Sequence, residues 1–168
     1  FSSGQRLLRL NCFGSDWLAT PEDPVQPFGS APQPRDPAIR IDPLGRVLVA
    51  WEDGGRIYVS RREGASNYVA MGSPLGTNAS RPRLAVSTVG DGQPVLAWVE
   101  NREPRAARWD GSDWQMLGAT AGGIVDDDLV VDVAIQADGT PLVASGGKAN
   151  NTVFVRRHNG SVWQTVGT

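Results

Sequence analysis

Arg61, Arg108 and Arg157 recur at one register, each three residues ahead of a turn glycine: Gly64, Gly111 and Gly160. An arginine at a repeated slot can grip a carboxylate or phosphate, because guanidinium presents a planar fork of donors. The competing expectation is that these arginines lie on the penultimate strand, face solvent and pair with acids such as Glu52, Glu100 or Glu103. Exposed pairs of that kind contribute only about 0–1 kcal/mol each. Asn11 takes the slot in the first, incomplete unit, and inner-strand arginines are limited to Arg40 and Arg83.

The other candidate chemistry is sparse. Asp126, Asp127 and Asp128 could offer oxygen ligands to calcium, with Asp132 nearby, but no spaced acidic set of the EF-hand kind follows. The expectation is therefore no metal and no cofactor, with calcium as the alternative. A glycosidase needs two carboxyls facing each other across a cleft or a tyrosine nucleophile. The tyrosines are Tyr58 and Tyr68, and Tyr68 occupies a structural aromatic slot. Serine nucleophile elbows, P-loops and dinucleotide fingerprints are absent. His158 falls near a turn, and Cys12 has no partner within the chain for a disulfide. Catalysis by this chain alone is not expected. Asn78, Asn150 and Asn159 open glycosylation sequons, which matter only in a eukaryotic secretory setting.

The elements that hold these residues repeat. FGSDWLAT (13–20), DGSDWQMLGAT (110–120) and NGSVWQTVGT (159–168) share a Gly-x-x-Trp core, and EGASNYVAMGS (63–73) is their variant. The aromatic landmarks Trp17, Tyr68, Trp114 and Trp163 are 51, 46 and 49 residues apart. A second landmark reads PLGRVLVAWED (43–53), GDGQPVLAWVE (90–100) and ADGTPLVASGG (137–147), placing Trp51, Trp98 and Ser145 at intervals of 47. A third opens each unit: PAIRID (37–42), PRLAVS (82–87) and VDVAIQ (131–136). Each unit predicts four short strands. In the middle one these are Arg83–Ser87, Pro94–Glu100, Arg105–Trp109 and Trp114–Leu117, bounded by turn residues such as Asp91-Gly92.

Four strands per repeat of this length predict an all-β chain of antiparallel β-propeller blades. A blade has two apolar faces and cannot bury both alone, so blades stack around an axis. Trp17, Tyr68, Trp114, Trp163, Trp51 and Trp98 are expected to fill the wedges between them. The reading divides the chain into the outer half of a blade (1–20), a Pro-rich connection (21–36) and three blades (37–77, 78–122 and 123–168). Three and a half blades leave an open arc with raw apolar faces. The expectation is a segment of a longer chain, with a second copy as the alternative; two copies would make about seven blades, within the usual range.

The segments Arg108–Gly118 and Asp91–Trp98 resemble the repeats of bacterial secreted and surface propellers, similar in style to Asp-box (sialidase-like) and kelch-like repeats. The likeness is to a repeat style. Asp110 directly precedes Gly111, one residue short of an Asp-box, and the Gly146-Gly147 pair occurs once. The resemblance implies an extracellular or cell-surface binding and assembly module that meets a protein or glycan partner. The alternative it implies is a piece of a glycan-cleaving propeller whose catalytic groups lie elsewhere, since sialidase-like propellers hold substrate with clustered arginines. Loops that differ between units (Glu52–Gly55, Asn101–Pro104, Gly146–Asn151) favour a protein partner over a lectin role.

Composition agrees with a packed β domain. The 168 residues are 40% apolar, with 20 Gly and 12 Pro scattered along the chain, as frequent tight turns require. A net charge of -2 speaks against nucleic acid as a partner, and no apolar run reaches the length of a membrane span.

Overall fold

The computed structural model describes residues 34–64, 67–88, 92–118, 129–147 and 152–167, together with the backbone of 10–13 and 16–19. The chain is all-β, with no helix among the described residues. The strands β1 (Leu10–Phe13) and β2 (Asp16–Ala19) form an antiparallel hairpin. Three four-stranded antiparallel sheets follow, each in simple sequential order. Blade 1 is β3 (Arg35–Ile41), β4 (Val47–Asp53), β5 (Arg56–Glu63) and β6 (Asn67–Ala70). Blade 2 is β7 (Ala79–Val86), β8 (Pro94–Glu100), β9 (Glu103–Trp109) and β10 (Trp114–Met116). Blade 3 is β11 (Val130–Ile135), β12 (Pro141–Gly147), β13 (Thr152–His158) and β14 (Trp163–Thr165).

In the first strand of the middle unit the structure departs from the pattern. Sequence predicts a start at Arg83, but β7 begins at Ala79. The register shifts between Ser80 and Arg83, and Arg81 sits at φ 54°. Blade 1 repeats the device between Arg35 and Ala38, with Asp36 at φ 50°. Pro82 and Pro37 cannot donate to the ladder, so each is accommodated at a bulge, and the strand resumes beyond it. Alternation of apolar residues is broken there, which hides the outer part of the strand from a pattern search.

Packing explains the sequence of the second strands. Strand β8 reads Val-Leu-Ala-Trp-Val because both of its faces are covered. Leu96 and Trp98 join Leu84, Ala107, Trp109 and Trp114 against Leu48, Ala50, Ile57, Val59 and Met71 of blade 1. Val95, Ala97 and Val99 point the other way, toward Leu129, Val131, Val133 and Val143 of blade 3. Period-two alternation thus sorts one strand into two interfaces.

The last strand contributes to both wedges. Trp114 faces blade 1, while Leu117, just beyond β10, faces blade 3. The indole N–H of Trp114 donates to the Met71 carbonyl at 2.8 Å, and that of Trp163 donates to the Leu117 carbonyl at 2.7 Å. Met71 and Leu117 hold the same place in their blades: each donates its amide to the third strand, to Val59 and Ala106 respectively. An indole hydrogen bond therefore helps tie blade 2 to blade 1 and blade 3 to blade 2, inside apolar wedges where an unmet indole N–H would be costly.

Trp51 is fully buried and stacks on Tyr58 with ring centroids 5.6 Å apart; Val49 is buried beside it, and Val47 and Tyr68 pack against this cluster. Trp98 is equally buried. Ser145, at the corresponding place in blade 3, is buried as well.

Candidate functional site

The turns of each blade fall at two ends. The β3–β4 and β5–β6 turns, with their equivalents in blades 2 and 3, lie at one end; the β4–β5 type lies at the other. The two grooves described below open at the first end, between neighbouring blades.

The first groove, about 280 Å³, is lined by Asp42, Leu44, Arg46, Leu48 and Arg61 of blade 1 and by Gly92, Gln93, Pro94, Trp109 and Gly111 of blade 2. The second, about 360 Å³, takes Arg108 from blade 2 and residues 138–141 and 157–160 from blade 3. They occupy the same structural position. Arg61 and Arg108 pair across to Leu48 and Val95, which are equivalent places on the second strands. Gly92 matches Gly139, Pro94 matches Pro141, and Trp109 matches His158. Volumes of this order are at the small end for small-ligand sites.

Local structure shapes both grooves. Gly92 has φ 69°, and a Cβ there would stand 2.4 Å from the Pro43 ring of blade 1. Glycine is thus required both by the backbone and by the close approach of the two blades. Asp42 is buried and caps its own turn: its carboxylate accepts from the amides of Leu44 (3.0 Å) and Arg46 (2.8 Å) and from Arg46 Nε (2.7 Å). Burial alone would raise its pKa, but the Arg46 contacts and the Leu44 amide overcome this and hold it below the ordinary value.

His158 is the last residue of β13 and is buried, whereas its sequence position suggests an open turn. It stacks edge-on against Trp163 with centroids 5.1 Å apart and an interplanar angle of 63°. Trp109 does the same to Trp114, at 5.5 Å and 63°. The ring is buried because it replaces an indole in a repeated pair. Its Nδ1 accepts from the Gly160 amide at 3.3 Å. Burial, and then the charge of Arg108, push its pKa below the ordinary value.

The arginine slot divides by blade. Arg61 Nε donates to Glu63 at 2.6 Å. Arg108 reaches across the wedge and donates to the Gly139 carbonyl. Arg157, exposed, donates to Gln164 Oε1 at 3.3 Å. Arg61 thus pairs with an acid, as expected of the slot, but none of the three meets Glu52, Glu100 or Glu103. Glu52 lies 3.9 Å from Arg35, while Glu100 and Glu103 flank Arg105 at 3.5 and 3.3 Å. Those acids sit at the opposite end of the sheets, beside the β4–β5 and β8–β9 turns, out of register with the slot.

The inner strands carry more arginines than sequence offered: β3 also holds Arg35, beside Glu52, and β7 also holds Arg81, which donates to the Leu129 carbonyl of blade 3. Arg40 and Arg83 each donate to a neighbouring backbone carbonyl, of Ile39 and Pro82. Asp132 lies on β11 and accepts from the Val133 amide. Asn78 (φ 56°) donates to Asn101 Oδ1 at 3.2 Å, and Asn159 caps its turn by accepting from Ser161 and Val162. Asp126, Asp127, Asp128 and Asn150 lie outside the described residues, as do the side chains of Asn11, Cys12 and Trp17. Among the described residues no three His, Cys, Asp or Glu side chains group as metal ligands, and no helix is long and apolar enough to cross a membrane.

Sequence reasoning found the arginine slot but missed its companions Asp42, Arg46, Gly92, Gly139, Trp109 and His158. The signal was present. The second landmark of the repeat forms one lip of each groove, and Arg108-Trp109 aligns with Arg157-His158.

No protein-family model matches the chain, and no curated protein matches it in sequence. Solved structures do match in fold. A fucose lectin from Kordia zhangzhouensis, in complex with methyl-fucoside, is 12% identical with a TM-score of 0.52, over 79% of this chain and 98% of that one. AofleA from Arthrobotrys oligospora is 13% identical with a TM-score of 0.57, over 97% and 50%. An α-L-arabinanase from Penicillium chrysogenum, complexed with arabinobiose, is 16% identical with a TM-score of 0.52, over 79% and 48%. The chain spans about half the length of the latter two. These likenesses establish the fold: the three sheets are β-propeller blades.

Proposed function

We propose that the chain is a non-catalytic, glycan-binding propeller module of an extracellular or cell-surface protein, with its sugar sites in the grooves between blades. The observation that carries the reading is the pair of equivalent grooves, each with an arginine from one blade facing a Gly-x-Pro lip and a ring from the next. Sugars present hydroxyls for planar donors and apolar ring faces for aromatic side chains, and such a site offers both. The likeness in fold to a fucose lectin supports this reading. Of the loops that differ between units, Glu52–Gly55 and Asn101–Pro104 lie at the opposite end of the blades from the repeated arginines and offer a surface to a protein partner. The proposal invokes no cofactor.

Calorimetric titration with methyl-fucoside and arabinobiose tests it. Binding by the wild type should fall at least about tenfold in Arg61→Ala/Arg108→Ala, the usual effect of removing charge-assisted hydrogen bonds. Unchanged binding in that variant would reject the grooves as the site.

The likeness to an arabinanase supports a second reading, a segment of a glycan-cleaving propeller. Against it, the buried groove carboxylate Asp42 is occupied by three hydrogen bonds, and no second carboxyl lines the groove among the described residues. Release of arabinose from arabinobiose by the chain itself would favour the second reading.

A further inference from the structure

The two grooves share a backbone and an arginine slot, yet their charges are arranged differently. In the first, each guanidinium is met by a carboxylate: Arg46 by Asp42 at 2.7 Å and Arg61 by Glu63 at 2.6 Å. Glu63 also stands 4.0 Å from Arg46. The positive charge of that groove is therefore neutralised within blade 1.

The second groove lacks this arrangement. Blade 2 carries Ser87 and Gln93 where blade 1 carries Asp42 and Arg46; the Ser87 amide donates to Gln93 O as the Asp42 amide donates to Arg46 O. Asp110 replaces Glu63, but its carboxylate is spent on its own turn. It accepts from the amides of Asp113 and Ser112, both at 2.8 Å, and from Gln115 Nε2 at 2.9 Å. Those bonds hold its pKa at about 2, so it stays ionised and fixed in the turn. Among the described residues, Arg108 and Arg157 have no carboxylate within hydrogen-bond distance; their partners are a backbone carbonyl and a side-chain amide. Asp138 is the one carboxylate among the described lining residues; its Oδ1 accepts from the Thr140 amide at 2.9 Å, and its charge is felt by Arg157 but leaves Arg108 without a carboxylate. Two guanidinium groups thus face one carboxylate. His158 adds a donor: with Nδ1 accepting from Gly160, the proton of the neutral ring is on Nε2.

We infer that the second groove, lined by Arg108, Arg157 and His158, selects an anionic sugar, a ring bearing a carboxylate, over its neutral counterpart, whereas the first groove does not discriminate by charge. The inference rests on the glycan reading above and adds the charge class of the ligand. A planar carboxylate matches the guanidinium fork, and the donor excess is left for the ligand to satisfy.

The test is calorimetric titration of the full chain with methyl galacturonide and methyl galactoside, which differ at one carboxylate. The wild type should bind the acid about tenfold more tightly at low salt, in line with a charge-assisted hydrogen bond, and the preference should shrink as salt rises. It should collapse in Arg108→Gln and weaken in Arg157→Gln, whose exposed site spares the fold. It should persist in Arg61→Gln. Arg108→Lys keeps the charge without the fork and should retain only part of the preference. Equal affinity of the wild type for both sugars, or a preference that survives Arg108→Gln, overturns the inference. Binding of both sugars without preference leaves the glycan reading standing; binding of neither overturns the inference, and removes the glycan reading as well only if methyl-fucoside and arabinobiose also fail to bind.

Discussion

Blades 2 and 3 are built from the same repeat, yet among the described residues blade 2 packs through both faces and blade 3 through one. In blade 2 six of the seven residues of β8 are buried, and Ala106 on β9 is sealed against blade 3. In blade 3 four of the seven residues of the matching strand β12 are buried and three are half-buried. Val155, the counterpart of Ala106, is 37% exposed, and Val153 beside it is 72% exposed. Residue type barely changes between the two faces, whereas burial does. A strand's apolar pattern therefore records the repeat it belongs to, and a neighbouring blade decides how much of that surface leaves water.

The comparison can be broken by mutation, most strongly in the wedge between blades 1 and 2. Trp114→Ala should cost about 3–5 kcal/mol, because it empties a large core site and strands the Met71 carbonyl. Chemical denaturation reads the loss, and a cost below about 1 kcal/mol would mean the wedge does not need the indole. Next comes a matched pair of charge insertions. Ala106→Asp buries an unpaired carboxylate and should cost about 3 kcal/mol. Val155→Asp, at the equivalent but uncovered position, should change stability by less than about 0.5 kcal/mol. Equal effects at the two sites would show that the two faces are alike in solution.

Acid sharpens the comparison further, because His158 stands in blade 3 where blade 2 has Trp109. Its folded pKa is depressed, by burial and then by Arg108. The unfolded chain, with an ordinary value of about 6.5, binds the proton more readily. Stability should therefore fall as pH drops below about 6.5 and level off below the folded pKa. His158→Phe should flatten this part of the pH profile, measured as Tm against pH. A Tm profile above pH 5 that is the same in wild type and variant would contradict the assignment.

Much of this architecture was legible in the sequence. The Gly-x-x-Trp endings and the Asp-Gly-x-Pro hairpins predict four strands per unit, and the structure has them. The grooves were harder to read because their decisive contacts cross between blades. Arg108 bonds to Gly139, 31 residues away, and Trp114 bonds to Met71, 43 residues away. Spacing within one unit instead suggested Glu52, Glu100 and Glu103 as arginine partners, and these lie at the wrong end of the strands. Sequence alone places His158 in a turn for a related reason: a lone histidine before Asn-Gly reads as a turn until it is aligned with Trp109. The bulges at Pro37 and Pro82 obscured the strand starts, since they break alternation where the backbone nonetheless continues to pair.

The central claim, that sugars enter between blades at the end bearing the repeated arginines, is tested most directly by mapping backbone amide shifts. A ¹⁵N-labelled chain would be titrated with methyl-fucoside, arabinobiose and methyl galacturonide. Saturable shifts should cluster at Gly92, Gly111, Gly139 and Gly160, which rim the two grooves. Shifts confined to the Asn101–Arg102 turn at the far end, or no shifts with any of the three sugars, would contradict the account.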